Sequence, residues 1–305
     1  MQLFRERTRP AEIISVMALL SGIVALFALV SGFFPFLTPF LMVIVPLAPA
    51  FVALVCPLKF LPLFLLTSFG ASLGVAFFDF QALLFYLLPS LCVGALYGLL
   101  QKKNVSAILN LFLNGVLSTI LLLGTLATSK GIYGLSFYDL FVALFPLMNP
   151  NYAPDIFLLF CFTYGLAETL LIYLFAKVVF SKFHLPTNEE IHPLWLPYLC
   201  GGISLVLGVA CYFFFLPGSY LCLGFVIFWS VVAFVEEVPY QRSWLWAIQV
   251  VLLFVSILLF ALLYTKLLED RGLLLSSIPF ILSFLPNALN ASLPPLCVKN
   301  KINKP

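Results

Sequence analysis

From residue 11 to residue 295 the chain is a succession of apolar runs, each about as long as one crossing of a lipid bilayer. They fall at 11–34, 36–56, 60–78, 81–100, 105–127, 156–180, 194–216, 218–235, 244–265 and 273–295. A spanning helix needs about 20 mostly apolar residues. Lipid cannot hydrogen-bond an open backbone, so each run must close its own amides as a helix. The short alternating strands of an outer-membrane barrel are absent. Composition removes the soluble alternative: 63% of the 305 residues are hydrophobic and 9% are charged, where a soluble domain carries about 25% charged residues. The sequence therefore predicts an all-α polytopic transmembrane helix bundle with about ten spanning helices. It forms a single integral membrane domain over 1–305, with five spans in 1–128, an outer loop at 129–155, and five more spans in 156–305.

Charge orients the set. With the N-terminus cytoplasmic and the spans alternating, the inner segments hold Arg5, Arg7, Arg9, Lys59, Lys102, Lys103, Lys177, Lys182, Arg242, Lys299, Lys301 and Lys304. The outer side holds only Lys130, Lys266 and Arg271. This is the asymmetry of the positive-inside rule, and it places the chain in the inner (plasma) membrane as a multi-pass protein. The net charge of +3 follows from the same bias and implies no nucleic-acid partner. The last run carries Pro279 and Pro286. If it lies on the surface, nine spans remain and the C-terminus is outside.

The first run exceeds the 7–15 apolar residues of a signal-peptide core, so it reads as a retained span. Within 129–155, Phe137, Leu140, Phe141, Leu144 and Phe145 share a face at helical spacing. They predict either an interfacial helix or a plug over an outer opening. The seven cysteines (Cys56, Cys92, Cys161, Cys200, Cys211, Cys222 and Cys297) are odd in number and form no Cys-x-x-Cys pair. Neither a disulfide framework nor a metal site is expected.

Polar groups inside the spans are the candidates for chemistry. Asn110 and Asn114 lie four apart and so share a helix face. Glu168 lies mid-span with Tyr164 one turn before it. A carboxylate at the bilayer centre costs about 2.5–3.5 kcal/mol on insertion scales and defaults to a functional hypothesis. Asn110, Asn114, Tyr164 and Glu168 are the candidate substrate-binding residues. The alternative is structural: a protonated Glu168 bonded to Tyr164 or to an asparagine, holding helices together. Pro46 and Pro49 break the second run. That break either lines a cavity or is a kink repaired by neighbouring helices. Ala18 with Gly22, Gly70 with Gly74, and Gly94 with Gly98 are spaced for close helix–helix contact.

No catalytic motif survives inspection. Glu236-Glu237 invites comparison with intramembrane prenyl-type proteases, but Arg242 stands one residue too far along and the only histidines, His184 and His192, lie upstream. Neither a phosphate loop nor HExxH occurs. The chain reads as a non-enzyme without cofactor.

The order of the spans resembles the YybS-like family of bacterial multi-pass membrane proteins of unknown function. The resemblance rests on Val45-Pro46-Leu47-Ala48-Pro49-Ala50, and on Leu88-Pro89-Ser90-Leu91-Cys92-Val93-Gly94-Ala95-Leu96-Tyr97-Gly98 followed by Lys102-Lys103. One residue more separates the two prolines than in that family's Pro-x-Pro element, and its C-terminal Asp–Arg ending is not evident. The family is similar in its first six spans to the substrate-binding S components of energy-coupling-factor importers. That similarity implies a small solute held from the outer side, and a membrane coupling subunit docked on the Ala18–Gly22 face. Two other readings stay open: a scaffold or assembly subunit that holds another membrane protein through its Gly and Ala faces, and a ten-span drug/metabolite-type exporter.

Overall fold

The computed structural model of the chain describes residues 9–34, 37, 42–76, 83–134, 136–144, 153–183, 185 and 195–237. Among the described residues all regular structure is helical. The longer helices are α1 (Pro10–Phe33), α2 (Leu47–Val55), α3 (Leu61–Ala76), α4 (Leu88–Lys102), α5 (Ala107–Tyr133), α6 (Phe137–Leu144), α7 (Ala153–Lys182), α8 (Trp195–Phe214) and α9 (Leu216–Glu237). Five segments are long and apolar enough to cross a membrane: Pro10–Phe33, Leu58–Ala76, Ala107–Ile132, Ala153–Lys182 and Leu196–Phe214. The ten-span expectation is thus met in part. Its last two runs, 244–265 and 273–295, lie outside the described residues.

The second run is interrupted at Pro46, where the prolines predicted a break. Its described helix starts at Met42, turns at Val45-Pro46 and resumes at Leu47. From Met42 to Val55 it covers about 21 Å at 1.5 Å per residue; residues 38–41 lie outside the described ones. Hydropathy reads straight through Pro46, whereas the missing amide interrupts the backbone ladder there. Pro49 costs little, because it sits in the first turn of α2, where amides lack intrahelical partners anyway. Pro89 is accommodated similarly: it lies in the first turn of α4, directly after a π-helical turn at Leu83–Leu87.

The described residues fall into two compact units. One comprises 1–137 and 164–190, the other 138–163 and 191–305. In the first, α1 packs on α3 through its buried face of Ile13, Met17, Ser21, Val24, Ala28 and Ser31. The Ser21 and Ser68 hydroxyls meet at 2.9 Å. Polarity here is inverted relative to a soluble protein. Ser68 is fully buried while Leu66, two residues before it, is 72% exposed. Water would reject that arrangement, and lipid favours it, because buried hydroxyls bind helices together where apolar side chains gain nothing by clustering.

α2 and α4 run in the same direction. Gly94 lies against the Pro46 carbonyl and Gly98 against Ala50 and Ala53. At the next turn the Lys102 ammonium donates to the Cys56 carbonyl at 2.9 Å, neutralising the C-terminal end of α2. α4 ends with Asn104 in the left-handed region at φ 53°, and Val105 N–H returns to the Leu100 carbonyl at 3.0 Å. Ser106 then caps α5 by accepting from Leu109 N–H at 3.3 Å.

The predicted outer loop is more helical than 129–155 implied. α5 continues to Tyr133 and stops at Gly134, whose φ of 68° suits only glycine without strain. In the second unit, α6 buries Phe141 against Ala153, with Tyr138, Val142 and Phe157 around it. Leu140, placed by spacing on the same face as Phe141, is exposed. Phe145 lies outside the described residues. α8 and α9 form an antiparallel hairpin turned at Phe215.

Candidate functional site

The polar groups of the first unit gather where α5 crosses the C-terminal part of α7. Two glycines stand at the crossing. A Cβ on Gly165 would lie 2.9 Å from the Gly115 carbonyl oxygen and 2.8 Å from Thr119 Oγ1, and one on Gly115 would lie 2.6 Å from Leu166 Cδ2. At Gly165 the opposing backbone leaves room only for hydrogen, whereas at Gly115 the obstructing atom is the end of the Leu166 side chain, so the close approach rests on Gly165. The nearby hydroxyls are used locally: Thr119 donates to the Gly115 carbonyl at 2.7 Å and Thr169 to the Gly165 carbonyl at 2.8 Å.

That approach sets Ser118 of α5 against Glu168, which stands at the middle of α7. Ser118 Oγ donates to Glu168 Oε2 at 2.5 Å. The carboxyl is buried and its Oε1 has no partner. One turn back along α5, Asn114 Nδ2 donates to the Asn110 carbonyl oxygen at 2.9 Å and to Asn110 Oδ1 at 2.6 Å. Flipping either amide would set like atoms against each other, so the network admits only this assignment. Asn114 Oδ1 and Asn110 Nδ2 are left buried without partners. The two asparagines are 0% and 1% exposed. Each such atom forgoes its water hydrogen bonds at a cost of about 1–3 kcal/mol.

The stripe continues beyond these residues. Asn110, Asn114, Ser118, Thr125 and Ser129 are all buried on one side of α5, and Ser129 Oγ is likewise unpartnered. From Asn110 to Ser129 the rise is about 28 Å at 1.5 Å per residue, close to the thickness of a hydrocarbon core. Among the described residues, Glu168 is the one carboxyl set against this stripe.

The other residues singled out from sequence are distributed differently. Tyr164 is exposed, and its hydroxyl donates to Met42 Sδ at 3.3 Å rather than to Glu168. Pro46 and Pro49 are buried, and the turn at Pro46 is covered by Gly94. Gly22, Gly70 and Gly74 have no atom within 4 Å of an added Cβ, and Ala18 is exposed. Sequence reasoning missed Ser118, which carries the contact to Glu168. The signal was present: Ser118 extends the four-residue spacing of Asn110 and Asn114 by one step. No family model, curated protein or solved structure matches the chain.

Proposed function

We propose that the chain is a multi-pass inner-membrane protein that binds a small solute and moves it across the bilayer, with Glu168, Ser118, Asn114 and Asn110 as its polar site. The observation that carries this reading is the buried polar stripe of α5. It is as long as the bilayer core is thick, and unpartnered atoms lie on it and at Glu168 opposite. Groups serving only to join helices would be expected to spend their hydrogen bonds on each other. Here two acceptors, Glu168 Oε1 and Asn114 Oδ1, and one donor, Asn110 Nδ2, remain for a guest. The S-component resemblance suggests that a separate membrane subunit couples energy to this movement.

The proposed topology has ten spans and a cytoplasmic N-terminus. The parallel packing of α2 and α4 supports it, since parallel helices in an alternating chain stand an even number of spans apart. Lys102 reaching the Cys56 carbonyl brings Lys59, Lys102 and Lys103 to one end, which the positive-inside rule assigns to the cytoplasm.

The test is a solute panel read by thermal shift in mild detergent, with uptake in vesicles for any hit. A binding solute raises the melting temperature of the native chain and does so less in Glu168→Gln and Asn114→Ala. Equal shifts in both variants, or no shift with any solute together with a large fall in their own melting temperatures, would leave the stripe as structural glue. The scaffold reading has one observation in its favour, the uncovered Ala18–Gly22 face of α1. A stoichiometric membrane partner on pull-down, without a copurifying small molecule, would favour it.

A further inference from the structure

The α8–α9 hairpin brings together two cysteines, Cys211 and Cys222, that lie in separate apolar runs. Gly208 stands one turn before Cys211 on α8, and a Cβ there would lie 3.3 Å from Cys222 Cβ. Gly218 stands one turn before Cys222 on α9, and a Cβ there would lie 3.6 Å from Cys211 Sγ. Each cysteine thus has a glycine of the opposite helix beside it and stands about one turn from the other cysteine along the same close-packed seam; a disulfide needs their Cβ atoms brought to about 3.5–4.5 Å. Both side chains are half-buried, unlike Cys56 and Cys161, which are enclosed. The pair sits within two turns of the hairpin bend at Phe215.

We propose that Cys211 and Cys222 are a redox-sensitive modification site that closes into a disulfide and staples α8 to α9. The oxidant is a small-molecule disulfide. One protein thiolate attacks it, releasing one thiol and leaving a mixed disulfide on the protein. The second protein thiolate attacks the protein sulfur of that mixed disulfide and expels the other half as a thiol. The two cysteines lose two protons and two electrons as their S–S bond forms, and the oxidant is reduced to two thiols. Excess small thiol reverses the exchange. In the proposed topology the bend at Phe215 faces outward, on the oxidising side of the membrane, but the pairing itself rests only on the geometry of the hairpin.

The experiment treats native membranes holding the full chain with 4,4′-dithiodipyridine. Remaining thiols are then blocked with maleimide, and the chain is digested without reductant for mass spectrometry. The expected result is a linked pair of peptides containing Cys211 and Cys222, lighter than their sum by two hydrogens and separated by reduction. Cys211→Ser and Cys222→Ser each abolish the link, and Cys200→Ser retains it. Separate pyridyl or maleimide adducts on both cysteines of the native chain, with no link, would overturn the proposal without any variant having to fold. So would a link that persists in Cys211→Ser.

Discussion

Replacing Gly98 with alanine tests whether α2 and α4 are held together as described. A methyl group there would lie 2.6 Å from Ala50 Cα, 2.6 Å from the Ala50 carbonyl oxygen and 2.8 Å from Ala53 Cβ. Ordinary contact starts near 3.4 Å, so relief requires a displacement of about 0.8 Å. Two of the three obstructing atoms belong to backbone, and no side-chain rotation can move them. A gap of 0.5–1 Å forfeits roughly a quarter to a half of each dispersion contact along the seam, and overpacking typically costs about 1–3 kcal/mol. Alanine recovers about 0.8–1.0 kcal/mol of helix propensity. Because backbone atoms stand in the way, the upper part of the overpacking range applies, and the net is a loss of about 2 kcal/mol, or roughly 4–8 °C at the 2–4 °C per kcal/mol of a 150–250-residue protein. The assay is loss of the monodisperse size-exclusion peak after heating in detergent. Gly22→Ala and Gly74→Ala form the internal contrast: nothing stands within 4 Å of the added methyl, so propensity acts alone and both should melt slightly higher. A Gly98→Ala chain as stable as the native one would refute the seam.

Three further outcomes follow from the same geometry. A double-mutant cycle of Ser118→Ala with Glu168→Leu should give a coupling of about 0.6–1.7 kcal/mol, the range of hydrogen bonds between membrane helices, and a coupling near zero would show that Ser118 and Glu168 are not bonded. Gly134→Ala should cost about 1 kcal/mol, because the residue holds φ 68° in open space and only the backbone resists a side chain; an unchanged melting temperature would show that α5 ends otherwise. Reporter fusions after Lys103, Phe183 and Arg242 should report cytoplasm, and fusions near Asn149 and Pro217 the outside. An inverted pattern would reverse the orientation.

The sequence made the lipid environment legible because twenty-residue apolar runs have no other stable use. It also marked the crossing of α5 and α7, since Asn110, Asn114 and Glu168 are too costly in lipid to be incidental. What it could not supply was partnership. Tyr164 and Glu168 lie one turn apart, which predicts a shared face, yet Tyr164 reaches Met42 while Glu168 turns to Ser118. Gly70–Gly74 and Gly94–Gly98 have identical spacing. One pair has open space before it, and the other is pressed on a neighbouring backbone. Spacing tells which residues share a face and says nothing of what stands across from it. Pro46 is the clearer signal: without an amide proton it interrupts the backbone ladder, and the helix turns there.

The parallel register of α2 and α4 has a consequence for the order of synthesis. α2 emerges before α3, but the glycines that cover its Pro46 turn and its Ala50 face belong to α4, and the lysine that bonds its last carbonyl is Lys102. A nascent chain that has inserted α1, α2 and α3 therefore holds an α2 without its main partner until α4 follows. At that stage the packing already available to the chain is the α1–α3 pair, tied at Ser21 and Ser68. Truncation before Gly94 would leave α2 as the first part of the chain open to quality-control proteases.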